Sequence, residues 1–379
     1  VREWGLLAAS VAVSVLLALG LVRWLAPGLL GVPVDLQVVQ VDEAVAPFYE
    51  TVFRDAGGQP GLLRDPHTVV RGRPLVPELK IQGPHDVLGF RNEGVPNRVD
   101  VVVIGDSQTY GVNTPFARTW PRRLARRLEV EGLGAGVYSM ASAGWSAVQY
   151  LEMFERSRAF EPGVVVVAFY TGNDPRESFR TAYSLERWRD LRLDPSLDVG
   201  DLSPLRYPPP RSEWWEVRVG GEQVTFTPAL RLLSNVDEPA PRTGWAIMAE
   251  VARRIAERCR RRGCTPVFTA IPSKELAFES RLRQEGVPLD PVYAQLVQAE
   301  RRNVERLGDG IRELPGALFA DLLPALQAAV LRGAPAYRRD TDGHPRSAGH
   351  AVIARTIEPV VAEALRRRAA ERSHSLQAG

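Results

Sequence analysis

Four residues at separate places in the chain, Ser107, Gly144, Asn173 and His344, have the types and settings that acyl transfer requires. A serine hydroxyl becomes a nucleophile when a base takes its proton, a further group holds that base, and N–H donors meet the oxyanion that forms. Ser107 follows the apolar run Val101 to Ile104 in VVVIGDSQTYG, at the tight turn that closes it. Gly144 ends the small-residue loop of SMASAGWSAVQYL, where a bare backbone N–H can come close to a substrate. Asn173 offers a side-chain amide in FYTGND. His344 stands in DTDGHPRSAGH, which holds every histidine downstream of Ser107 except His374. Each residue also has a plain structural reading: Ser107 as a helix cap, Gly144 as a turn glycine, Asn173 with Asp174 as a turn. Asp106 and Asp174 read as loop fasteners that accept backbone N–H bonds. His350, past the N-cap Ser347, reads as structural, and His67 and His85 as surface or packing residues.

The elements that must position these groups alternate. Strands are expected at 99–105, Val137–Met140, Val164–Tyr170, Pro266–Ile271 and Leu318–Ala320. Helices are expected at Trp120–Glu131, Ala147–Arg158, Ala246–Arg262, Pro291–Leu307 and from Ser347 to about Arg368. Such alternation points to a parallel sheet covered on both faces, with ligands bound at the carboxyl ends of its strands. Pro175 to Pro241 interrupts the rhythm. It contains a hairpin, EVRVGGEQVTF, turning at Gly220-Gly221, and follows a strand's carboxyl end, so it is expected to fold over the site as a lid. Trp214 and Trp215 beside the hairpin either stack on sugar rings or pack its underside.

Composition excludes other classes. With 48 Lys and Arg against 45 Asp and Glu, the net charge of +3 gives no basic footprint for nucleic acid. GDSQTYG lacks G-x-G-x-x-G and a Walker lysine, which argues against a nucleotide site. Cys259 and Cys264 have no metal-ligand spacing, and two separately buried thiols are expected rather than a bridge. Leu6 to Val22 is uncharged and apolar, with Trp4 and Trp24 at its edges, which favours an uncleaved signal anchor over a cleaved signal peptide. Either places the rest of the chain outside the cytoplasm, periplasmic or extracellular. The expected organisation is therefore a transmembrane helix or signal anchor at 1–25 and a Pro/Gly-rich linker with an irregular layer at 26–84. The catalytic domain follows at 85–370, with the inserted segment at 175–241, and a disordered tail at 371–379.

Taken in order, Ser107 in GDS, Gly144, Asn173 in GND and His344 in DGH resemble the SGNH hydrolases, also called GDSL lipases and esterases. The resemblance covers roughly His85 to Ala364. DVLGFRN, TWPRRLA, Gln149 and DGHPRSAGHAVIA further resemble a membrane-anchored bacterial branch associated with acyl groups on surface glycans. The resemblance implies a flavodoxin-like three-layer α/β/α sandwich on a mostly parallel five-stranded sheet. It implies Ser107 as nucleophile, with its own N–H, Gly144 N–H and the Asn173 side chain as the oxyanion hole, and His344 as base and then acid. Most members place the orienting Asp three residues before the His, where this chain has Thr341. Asp342 is the choice here, since a D-x-H spacing occurs in relatives acting on glycan acetyl groups, and Asp340 is the reserve. No metal or organic cofactor is implied. The expected substrate is an acyl, foremost O-acetyl, ester of a glycan. A glycan O-acyltransferase using the same site is the alternative, and so is a non-catalytic, surface-anchored glycan-binding or assembly protein, which the Thr341 departure favours.

Overall fold

The computed structural model describes residues 62–377, apart from 66, 79–81 and 97, together with Ser14. The elements in chain order are β1 (Leu62–Asp65), β2 (Val69–Gly72), β3 (Val101–Gly105), α1 (Ser107–Tyr110), α2 (Trp120–Val130), β4 (Val137–Ala141), α3 (Ala147–Ser157), β5 (Val164–Tyr170) and α4 (Asp174–Ser184). They continue with β6 (Trp215–Val219), β7 (Glu222–Phe226), α5 (Pro228–Leu232), α6 (Pro239–Arg262), β8 (Thr265–Ile271), α7 (Lys274–Gln284), α8 (Pro291–Arg312), β9 (Leu318–Asp321), α9 (Leu323–Leu331) and α10 (Ser347–Gln377).

Five strands form one parallel sheet in the order β4-β3-β5-β8-β9. This is the flavodoxin-like order, in which the chain winds outward in both directions from its first strand. The β-branched run Val101 to Ile104 forms β3 and is buried on both faces, as a central parallel strand must be. Its side chains alternate. Val101 and Val103 enter a core with α2 and α10, while Val102 and Ile104 enter a second core with α3 and α6. The three layers follow from this alternation, and the sequence-based fold class is the observed one.

Other features depart from the sequence-based expectation. Within 26–84, β1 and β2 pair as an antiparallel hairpin, and Val70 O accepts from the Trp145 indole at 2.6 Å, so the folded layer begins before His85. α6 starts at Pro239, because prolines are tolerated in a helix's first turn. Gly244 then lets it meet α4: a Cβ there would lie 1.9 Å from Pro175 O. α10 runs to Gln377 through residues expected as a frayed tail; past Pro359 it contains no Gly or Pro. Cys259 and Cys264 are joined as a disulfide, not two separate thiols. Gly263, at φ 67°, turns the chain left-handed at the end of α6, and Cys264 N–H donates to Cys259 O at 3.0 Å, which folds the second cysteine back onto the first. The expected membrane segment at 1–25 lies outside the described residues, Ser14 apart. Among the described residues no helix is long and apolar enough to cross a membrane.

Candidate active site

The turn after β3 is built for close approach. Gly105 admits α1 onto the strand end; a Cβ there would sit 2.2 Å from Thr109 Oγ1. Asp106 caps α1, its Oδ1 accepting from Gln108 N–H at 2.9 Å, which leaves Ser107 as the first residue of the helix. Gly144, at φ 80°, shapes the loop after β4, and Asn173 is the N-cap position of α4 after β5. Ser107 N–H, Gly144 N–H and Asn173 Nδ2 have no acceptor among the described residues, and all three residues line one cavity of ≈ 590 Å³ at the carboxyl edge of the sheet.

His344 comes to the same edge on the loop that precedes α10. Its Nε2 lies 2.9 Å from Ser107 Oγ and its Nδ1 2.6 Å from Asp342 Oδ1. A carboxylate can only accept, so Nδ1 carries the proton and Nε2 is the acceptor that faces the serine hydroxyl. Asp342 Oδ1 also accepts His344 N–H at 2.9 Å, and Oδ2 accepts from Asn113 Nδ2 at 2.8 Å. Burial would raise the Asp342 carboxyl, but these contacts with His344 and Asn113 outweigh it and hold it well below its ordinary value. Asp340 faces away. It pairs with Arg338 at 2.6 Å and accepts Asp342 N–H at 3.1 Å. The two-residue spacing brings Asp342 to His344 because the loop turns it back onto both the backbone and the ring of the histidine.

A second pair of acids lies beneath. Asp106 Oδ2 is 3.2 Å from Ser107 Oγ, and Asp174 Oδ2 accepts from Tyr170 N–H and the Tyr150 hydroxyl, each at 2.9 Å. Burial pushes Asp106 up to about 6 against the pull of Gln108 N–H and His344. Burial and then the charge of Asp106 push Asp174 upward too.

The sequence from 103 to 352 matches the model of the GDSL-like lipase/acylhydrolase family. The chain belongs to this family. It is an SGNH hydrolase, and the GDSL-like enzymes are carboxylic ester hydrolases. No curated protein matches it. Among solved structures it is similar to TesA (15% identity, 70% of this chain and 98% of that one, TM-score 0.39). It is also similar to Axe2, an acetylxylan esterase from Geobacillus stearothermophilus (15%, 74% and 94%, TM-score 0.37). A third is a GDSL-like lipase from Bacteroides thetaiotaomicron (13%, 70% and 88%, TM-score 0.37).

Around this GDSL-like centre the structure adds residues that sequence reasoning passed over. Asn113 follows the GDSQTYG block and sits at φ 60°, a conformation that asparagine tolerates, so its short side chain can turn toward Asp342. Lys274 is one of only two lysines in the chain; its rarity was the available signal. It is buried, and its Nζ donates to Thr225 O at 2.7 Å, Arg338 O at 3.3 Å and Asp340 O at 2.5 Å. Burial lowers Lys274 to about 8, with Glu275, Asp340 and Asp342 opposing. Tyr207, Leu230 and Arg231 show that the 175–241 insertion walls the cavity. Trp214 and Trp215 do not line it. Trp215 packs on Phe226 and Tyr293, and Trp214 donates to Pro209 O at 3.1 Å. His350 is fully buried and accepts from Trp120 N–H at 3.3 Å, while His85 bonds Arg73 O and the Tyr110 hydroxyl.

Proposed function

We propose that this GDSL-family hydrolase cleaves an acyl ester, foremost an O-acetyl ester, of a cell-surface or extracellular glycan through Ser107, His344 and Asp342. The observation that carries the reading is the unbroken hydrogen-bonded chain Ser107 Oγ, His344 Nε2, His344 Nδ1, Asp342 Oδ1 at the mouth of a cavity. Ser107 Oγ attacks the ester carbonyl as its proton passes to His344 Nε2. The carbonyl oxygen, now an oxyanion, accepts from Ser107 N–H, Gly144 N–H and Asn173 Nδ2. Collapse breaks the bond to the sugar oxygen, which takes the proton from His344. Water, deprotonated by His344, then releases the acid and restores Ser107. Asp342 stays ionised and holds the imidazole in the required tautomer. A sugar hydroxyl in place of that water makes the same residues an O-acyltransferase.

The DGH spacing and the surrounding blocks support a glycan ester, as does a cavity rich in polar side chains. Work outside the cytoplasm, on a chain tethered by residues 1–25, fits the Cys259–Cys264 disulfide, since such bonds persist in oxidising compartments. The test is fluorophosphonate labelling of the full chain in detergent, comparing wild type with Ser107→Ala and His344→Ala, followed by acetate release from acetylated glycans with and without an acceptor sugar. Labelling that needs both residues supports the activated serine. Labelling of wild type no faster than Ser107→Ala rejects it and leaves a binding protein.

A further inference from the structure

The cavity beside Ser107 is lined by more arginines than carboxylates. Four arginines line it, Arg176, Arg180, Arg231 and Arg338, against Glu177, Asp340 and Asp342. Each carboxylate is engaged: Glu177 by Arg180, Asp340 by Arg338 and Asp342 by His344. Arg231 is different. No carboxylate oxygen of the described residues lies within 4.0 Å of it, and its Nε is buried without an acceptor. Its guanidinium carbon stands 5.8 Å from the centre of the Tyr170 ring, and its side chain makes no hydrogen bond among the described residues. Burial works against its charge, but Tyr170, Glu275, Tyr207 and Glu300 together outweigh that, and Arg231 remains a cation.

The position of this cation relates it to the reaction. Arg231 Nη2 would lie 3.0 Å from a Cβ built on Gly343, the residue before His344, and the Tyr170 hydroxyl 3.3 Å from that same point. The guanidinium therefore borders the backbone that carries the histidine, in the cavity that Ser107 also lines. A half-buried charge normally has its counter-charge in the protein, because leaving it unpaired is costly. A guanidinium fork also matches a planar carboxylate with two parallel hydrogen bonds.

Resting on the esterase reading above, we propose that Arg231 is a carboxylate subsite, and that the substrate is an ester of an acidic sugar, a uronic acid residue whose carboxylate docks on Arg231 while its acylated hydroxyl faces Ser107. The substrate then supplies the close carboxylate partner that Arg231 lacks among the described residues, and neutral acetylated sugars bind the same cavity without that pairing.

The experiment compares two probes that differ in one group: an O-acetylated methyl glucuronoside with its carboxylate free, and the same compound as its carboxamide. Acetate release by the full chain gives kcat/KM for each. The expected ratio, acid over amide, is about 10- to 100-fold in wild type and falls as salt is raised. It collapses toward one in Arg231→Gln and is intermediate in Arg231→Lys, which keeps the charge and loses the fork. Because the ratio is taken within each variant, a general loss of activity cancels from it. Should Arg231→Gln fail to fold, protection of wild type from fluorophosphonate labelling by glucuronate, and not by glucuronamide, is the expected substitute result. A wild-type ratio near one, an unchanged ratio in folded Arg231→Gln, or equal protection by acid and amide overturns the subsite. If Ser107 labels but neither probe releases acetate, the acidic-sugar proposal fails while the activated serine stands. If Ser107 does not label, the esterase reading fails, and the subsite with it.

Discussion

The two halves of the candidate centre are held by different physics. Ser107 stands at the end of β3, whose four apolar side chains are fully buried and whose backbone is paired on both sides in register, Val101 with Val137 and with Val164. Burying each such side chain is worth about 1.5–3 kcal/mol, and no single one decides where the turn lies. His344 and Asp342 stand on the irregular stretch between α9 and α10, where polar contacts do the positioning. Thr225 N–H donates to Arg339 O at 2.7 Å, Lys274 ties Arg338 O and Asp340 O, Asn113 holds Asp342, and an isolated bridge joins Tyr337 to Pro345. The serine half is thus redundant in its support. The histidine half rests on a few bonds that act one at a time.

Substitutions can break that contrast in a graded way. Ser107→Ala removes the nucleophile itself and is expected to lower kcat on 4-nitrophenyl acetate by about a millionfold with the thermal midpoint unchanged, read by stopped assay and calorimetry. On the polar side, Lys274→Met leaves the carbonyls of Thr225, Arg338 and Asp340 without their buried donor. A loss of about 2–4 kcal/mol in urea unfolding and a lower kcat are expected together, whereas Val102→Ala in β3 should cost similar stability with little change in kcat per folded molecule. Parallel losses of activity in the two variants would show that both halves are supported alike. Asn113→Ala removes one of several groups on Asp342 and is expected to cut kcat by about threefold to tenfold, with KM unmoved.

The smallest effect concerns the acids below the serine. Asp106 and Asp174 titrate above the ordinary carboxylate value of 3.8, Asp106 at about 6. Between those values the folded chain still holds protons that the unfolded chain has released, so stability falls as pH rises through this window. Asp106→Asn removes that contribution, and the drop in thermal midpoint between pH 4 and pH 6 should shrink by about 2–4 °C in scanning calorimetry.

The same contrast explains what could be read from the sequence. The apolar runs at 101–104, 164–170 and 266–271 announce their strands, and the carboxyl-end rule then brings Ser107, Gly144 and Asn173 to one edge. Helix α7 was missed because its buried face holds Lys274, Glu275 and Glu279, which blurs the apolar stripe that marks a helix. α4 was missed for a similar reason, with Arg176, Glu177 and Arg180 buried in it. The choice between Asp340 and Asp342 depends on how a loop folds, and Asn113, which donates to Asp342, lies 229 residues away in the chain. Spacing alone carries no such information. The disulfide was misjudged because assigning one cysteine to a helix and the other to a strand ignored the reversal at Gly263.

The central claim is that Asp342, two residues before the histidine, has taken over the orienting role that Thr341 cannot perform. Its most direct measurement is the pair of isosteric variants Asp342→Asn and Asp340→Asn, assayed side by side for kcat on 4-nitrophenyl acetate. Asp342→Asn is expected to lose about a thousandfold to ten-thousandfold, because an amide stabilises the wrong tautomer of His344, while Asp340→Asn should lose less than about tenfold. Equal losses, or a larger loss in Asp340→Asn, would contradict the claim.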